Sequence, residues 1–216
     1  MLFDPLLDAR TGTRCEISLP LHLLDLGREQ GQGQGQQPPP AQTILPVSYK
    51  FFLFIADATK LSRLSRPLDD AEIRTWRDLD RRLSHWTVLI HNSGTDDVSL
   101  ELCYLAIRIL LHKTNPNISP VERNLQISNC LQKGLKKIPL VHIHRHPPVY
   151  LLWPVAILGS VAVTDEERNV VRGFTSLLVA SKQGGHAAWV QNRMDRIWAL
   201  ELEPGVVGLQ FLLDGA

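Results

Sequence analysis

Cysteine is scarce in this chain: its 216 residues hold three, Cys15, Cys103 and Cys130, with no C-x-x-C among them. Such a set builds neither a disulfide framework nor a cysteine zinc module, and it points to a reducing compartment. An excess of one charge is also missing. The 23 Lys and Arg residues stand against 22 Asp and Glu, for a net charge of +1. No overall basic field draws the chain toward nucleic acid or an acidic membrane. Long apolar runs are lacking too. The longest, residues 149–163, contains Pro154 and Gly159 and is shorter than the roughly 20 residues that a bilayer-spanning helix needs. Asp4 and Asp8, with no basic stretch ahead of the apolar residues, do not fit a secretory signal. The phosphate-cradling patterns G-x-x-x-x-G-K-[ST] and strand–G-x-G-x-x-G are absent, and the GQGQG stretch has neither the strand nor the helix a phosphate cradle needs. Neither Ser176 nor Ser181 lies in a G-x-S-x-G elbow, and no cysteine sits in a Cys/His nucleophile signature.

What is present is helical patterning behind a low-complexity segment. Residues 27–45 open with GREQGQGQGQQPPPAQ, the composition of a flexible linker ending in a stiffer polyproline stretch. They divide a short arm, residues 1–26, from a body, residues 46–216. In the body, Val47, Phe51, Phe54, Ile55, Ala58 and Leu61 recur at three to four residues after Pro46, predicting a helix to about Leu64. Asp69 with Glu72 reads as a capping box. Ile73, Trp76, Leu79, Leu83, Trp86 and Ile90 then line one face, and Arg74, Arg77, Asp78, Arg81 and Arg82 the other. After Asn92-Ser93-Gly94, Leu102, Leu105, Ala106 and Ile109 form an apolar stripe and Glu101, Tyr104, Arg108 and His112 a polar one.

Ser119, Pro120 and Glu122 mark the next helix start, and Lys133, Lys136 and Lys137 suit the negative end of its dipole near residue 137. Pro147-Pro148 restarts the chain into an apolar run patterned for burial on every side. Thr164 with Glu167 then opens a helix whose Val170, Val171, Phe174, Leu177 and Leu178 are expected to face inward. Gly184-Gly185 closes it. A last helix near His186 to Leu202 presents Val190, Met194, Ile197 and Trp198 before Pro204-Gly205. With no strand-period segment in the body, the fold is read as all-α, about seven helices packed in an irregular array of hairpins.

Three groups of side chains are candidate sites. His142, His144 and His146 alternate, so along an extended segment they point one way and could offer ligands to a zinc ion. A solvated loop leading into a buried helix accounts for them without a further ligand and is the preferred reading, so no metal is assigned. The arginines from Arg63 to Arg82 are interleaved with Asp69, Asp70, Glu72, Asp78 and Asp80, which reads as a solvated face in preference to a phosphate-binding patch. Trp76, Trp86, Trp153 and Trp198 all fall on apolar faces. They are read as core, with the alternative that aromatics in a helical core enclose a small-molecule pocket. For such an effector pocket the side chains to inspect are Trp86, Tyr104, Arg108 and Trp153.

The stretch LLWPVAILGSVAVTDEERNVVRGFTSLL, followed after a short gap by AWVQNRMDRIWAL, resembles the C-terminal half of the fungal-specific transcription factor regulatory domain of zinc-cluster transcription factors. The matching features are Leu152, Trp153 and Pro154, then Gly159, then Thr164, Glu167, Arg168 and Arg172, and finally Trp198 after Ile197. YLAIRILLHKTNP, ending at Pro116, is similar to the helix and turn that precede this segment. The resemblance covers roughly residues 46–202. It implies an all-helical regulatory domain acting in the nucleus through contact with the transcription machinery or another transcription factor. A small-molecule effector would shift it between helical packings, and a homodimer is compatible with it. Members of the family carry six cysteines that hold two zinc ions in a DNA-binding module. Three dispersed cysteines do not supply one, so no cofactor and no direct DNA contact are expected, and zinc enters only if a cysteine cluster precedes Met1. The alternative reading is a stand-alone helical enzyme or small-molecule-binding protein of specialised metabolism, acting in the cytoplasm, that reuses this fold.

Overall fold

The computed structural model describes residues 49–64, 67–92, 97–143, 148–180 and 185–199. The arm, the linker, Pro46, Val47, Ser93, Gly94, His144, His146, Pro147, Ser181, Gly184 and Leu202 lie outside the described residues. Seven α-helices follow one another: α1 (Tyr49–Ser62), α2 (Asp70–Asn92), α3 (Val98–Thr114), α4 (Pro120–Lys137), α5 (Pro148–Ser160), α6 (Asp165–Val179) and α7 (Gly185–Ala199). One 3-10 turn, Ile138–Leu140, follows α4, and there is no strand among the described residues. The all-α expectation holds.

The helix starts follow from side chains that satisfy the first, otherwise unpaired backbone N–H groups. Asp69 Oδ1 accepts from the N–H groups of Ala71 and Glu72 at 2.8 Å each, and the Glu72 carboxylate accepts from the Asp69 N–H at 2.8 Å. The same reciprocal box opens α6. The Glu167 N–H donates to Thr164 Oγ1 at 3.2 Å, and Glu167 Oε2 accepts from the Thr164 N–H at 3.0 Å. At α4 the Glu122 N–H donates to Ser119 Oγ at 3.2 Å, with Pro120 in the first turn. Asp97 caps α3 by accepting from the Ser99 N–H at 3.0 Å, a start the sequence reading did not mark.

Two helices form the centre. α3 packs against α1, α2, α4 and α5, while α5 also receives α6 and α7. The interior positions of α3 are accordingly apolar on several sides: Leu102, Leu105, Ala106, Ile107, Ile109, Leu110 and Leu111 are all buried. α5 contributes Leu151, Leu152, Val155, Ala156, Ile157 and Leu158, buried as its all-round apolar pattern requires. Pro154 lies inside this helix, where it lacks the N–H that would bond one turn back.

Three readings of helix faces and ends are corrected. His112, expected on the polar stripe of α3, is buried, because the C-terminal half of α3 is enclosed on that side as well. Val170 and Leu177, expected to face inward, are 37% and 60% exposed. Val171, Phe174 and Leu178 face the core as expected, and Thr175 joins them, because apolarity alone does not fix the rotational phase of a helix whose apolar arc is wider than its contact surface. Gly185, expected to close a helix, is the first residue of α7.

Candidate functional site

Polar side chains reach the interior chiefly along α3. Its stripe Glu101, Tyr104, Arg108 and His112 advances three to four residues at a time, which keeps the members on one side of the helix. Glu101 is ion-paired with Lys137 at the end of α4. Tyr104 is half-buried, and one turn further Arg108 Nη1 donates to Asp80 Oδ1 of α2 at 2.5 Å, with both side chains partly covered. The seam thus joins three helices through charge.

His112 closes the seam. Burial, reinforced by the Arg108 cation and opposed by the Asp80 carboxylate, lowers its pKa to about 4. The imidazole is therefore neutral at physiological pH. Two free thiols are also buried. Burial, reinforced by the Asp97 carboxylate, pushes the Cys103 thiol up to about 12, and burial raises Cys130 against the opposing Arg108 and Lys133 cations. Thiols held protonated in this way are poor nucleophiles and poor metal ligands. Among the described residues no group of three or more His, Cys, Asp or Glu side chains is placed to hold a metal ion. His142 is exposed beyond the 3-10 turn.

Of the four pocket candidates, the structure brings Tyr104 and Arg108 together, one turn apart on α3. Trp86 of α2 meets Phe54 of α1 edge to face, with ring centroids 6.3 Å apart. Trp153 is half-buried on α5.

Two of the residues singled out by resemblance, Gly159 and Arg172, meet Trp198. Its indole N–H donates to the Gly159 carbonyl at the end of α5 at 2.9 Å, and the Arg172 guanidinium lies 5.0 Å from its ring centroid. Arg172 also donates to Asp195 Oδ1 at 3.0 Å and to Asn169 Oδ1 at 3.2 Å, tying α6 to α7. Gly159 has no room for a side chain: a Cβ there would lie 2.3 Å from Met194 Sδ and 3.0 Å from Val171 Cγ1. Glu167, besides its place in the cap, accepts from Gln132 of α4 at 2.6 Å. Leu152 is buried, and Arg168 approaches Asp165 at 4.0 Å. These side chains hold α5, α6 and α7 in register.

A second pattern escaped the sequence reading. Helix C-terminal carbonyls lack intrahelical donors, and here other helices supply them. Trp76 Nε1 donates to the Leu111 carbonyl of α3 at 3.0 Å, and Lys113 Nζ to the Ser62 carbonyl of α1 at 3.3 Å, as Trp198 does for α5. The partners are 35, 51 and 39 residues apart in sequence, so no local pattern announces them.

The family model described as the fungal-specific transcription factor domain matches residues 12–205. No curated protein and no solved structure matches the chain. No helix of the described residues is long and apolar enough to cross a membrane. A match across most of the chain, together with an all-helical body in which the resembling residues Gly159, Glu167, Arg172 and Trp198 form its internal joints, carries one conclusion: this chain belongs to the fungal-specific transcription factor domain family.

Proposed function

We propose that this domain regulates transcription in the nucleus by contacting other proteins, the transcription machinery or another transcription factor, and that it does so without a DNA contact of its own. The observation that carries the reading is the family match over residues 12–205. Two features support the protein-contact part. The chain has no charge excess to hold it on a duplex, and its helices present apolar side chains outward, with Val121 81% and Leu125 59% exposed one turn apart on α4. The polar seam of α3 supports an effector arm of the same reading: a small molecule engaging Tyr104 and Arg108 would compete for the contact between α2 and α3.

Chromatin cross-linking of a tagged full chain in its host cell tests the proposal. Promoter regions are expected to be enriched, and more strongly when a protein–protein cross-linker precedes the protein–DNA one. Absence of promoter enrichment under both conditions contradicts the proposal, and equal recovery without the protein cross-linker contradicts its protein-contact part.

A further inference from the structure

The chain holds one Ser-Pro pair, Ser119-Pro120, and no Thr-Pro. The pair lies where the turn after α3 enters α4, and Pro116, Asn117, Ser119, Pro120, Val121 and Glu122 around it are all exposed. Ser119 has the extended backbone, φ −65° and ψ 157°, that a following proline imposes. Its hydroxyl oxygen accepts from the Glu122 N–H at 3.2 Å, while its O–H donates to no group among the described residues. Other hydroxyls are committed: those of Thr75, Ser84, Thr114 and Thr175 donate to carbonyls one turn back inside their helices. Thr164, which also caps a helix, is followed by Asp165, Glu166 and Glu167, three carboxylates that repel an added anion. After Ser119 the first turn of α4 holds one acid, Glu122, and then Arg123. The Arg123 N–H donates to the Ser119 carbonyl at 2.9 Å. Its Nε is buried without a hydrogen-bond partner, and among the described residues its guanidinium has no ion pair.

We propose that Ser119 is the phosphoacceptor of a proline-directed protein kinase, and that Arg123 holds the phosphate once it is formed. Pro120 has no backbone N–H, so a kinase pocket that offers the next residue no acceptor takes proline freely and strands the donor of any other residue. In the transfer, Ser119 Oγ attacks the γ-phosphorus of ATP and the bond from that phosphorus to its bridging oxygen breaks. ADP leaves with the electron pair, and the hydroxyl proton passes to a carboxylate base of the kinase. The product carries nearly two negative charges. Helical side chains lean toward the N-terminus, which brings the Arg123 guanidinium back over Ser119, four residues earlier on the same face. Val121, 81% exposed, is two residues from the new charge, so the modification changes the apolar surface cited above for protein contact. The inference adds a control to that reading and does not depend on it.

Incubation of the folded full chain with ATP and a purified proline-directed kinase, followed by peptide mass spectrometry, tests the acceptor. Phosphate on Ser119 is expected, with that site lost in Ser119→Ala. Pro120→Ala keeps the cap and places a good helix former in the first turn, and is expected to be modified about tenfold more slowly. A thermal midpoint near that of the wild type in this variant separates lost recognition from lost folding. A phosphorus NMR titration of the modified chain tests the second half. The phosphate pKa is expected below the value of about 6 for phosphoserine and to rise toward it in Arg123→Ala. No phosphate on Ser119, equal modification of Pro120→Ala, or a phosphate pKa unmoved by Arg123→Ala overturns the proposal. Those results leave promoter enrichment unaffected, so this inference can fail while the functional reading stands.

Discussion

His112 occupies a place where a charged imidazole is poorly accommodated, between the Arg108 cation and the enclosing helices. Its folded pKa, about 4, lies below the ordinary value of 6.5. The unfolded chain therefore takes up the proton first, and stability falls as the pH drops from about 6.5 to about 4 and levels off below that. Urea unfolding across this window is expected to give a steeper loss of stability for the wild type than for His112→Gln, which cannot be protonated. Parallel slopes contradict the assignment. Trp198 allows a second test at this scale. Trp198→Phe keeps an aromatic ring under Arg172 but removes the donor to the Gly159 carbonyl, and is expected to cost about 1–2 kcal/mol in the same assay. No loss would mean that the bond contributes nothing. Neither His112's burial nor the indole's partner was legible in the sequence. Periodicity placed His112 on a polar stripe, and the bond from Trp198 spans 39 residues.

The glycines of α5 and α6 differ in what surrounds them. A Cβ at Gly159 would run into Met194 and Val171 where α5 meets its neighbours, whereas nothing lies within 4 Å of a Cβ built at Gly173 on the outer face of α6. Gly159→Ala is therefore expected to destabilise the fold by about 1–3 kcal/mol through overpacking. Gly173→Ala is expected to stabilise it by about 0.5–1 kcal/mol, because alanine loses less backbone entropy in a helix. Paired denaturation curves check both, and the same sign at both positions contradicts the packing described here. At this scale the sequence was a good guide wherever the signal is local. The boxes at Asp69 and Thr164 and the cap at Ser119 depend on residues two or three apart, and each stands where the spacing placed it. The rotation of α6 was not legible, because whether Val170 or Val171 faces inward depends on the positions of α4, α5 and α7.

Across the whole molecule, the all-helical class and the family were both readable, the class from missing strand periodicity and the family from Leu152, Trp153, Pro154, Gly159 and the residues up to Trp198. Those residues explain why the domain holds together more than what it touches. Their contacts are internal joints, and a surface that meets a partner leaves no comparable periodic trace. The charge balance across the α2–α3 seam was hidden for a related reason. Asp80 meets Arg108 28 residues away, a partner that the order of charges along α2 does not reveal.

The measurement closest to the central claim, regulation through protein contact by a folded helical domain, is reporter transcription with the full chain tethered to a heterologous DNA-binding domain. A change in reporter output that persists in Gly173→Ala and declines in the destabilised Gly159→Ala, at matched protein levels, is the predicted result. Output indistinguishable from that of the DNA-binding domain alone, with the fusion shown to occupy its site, would contradict the account.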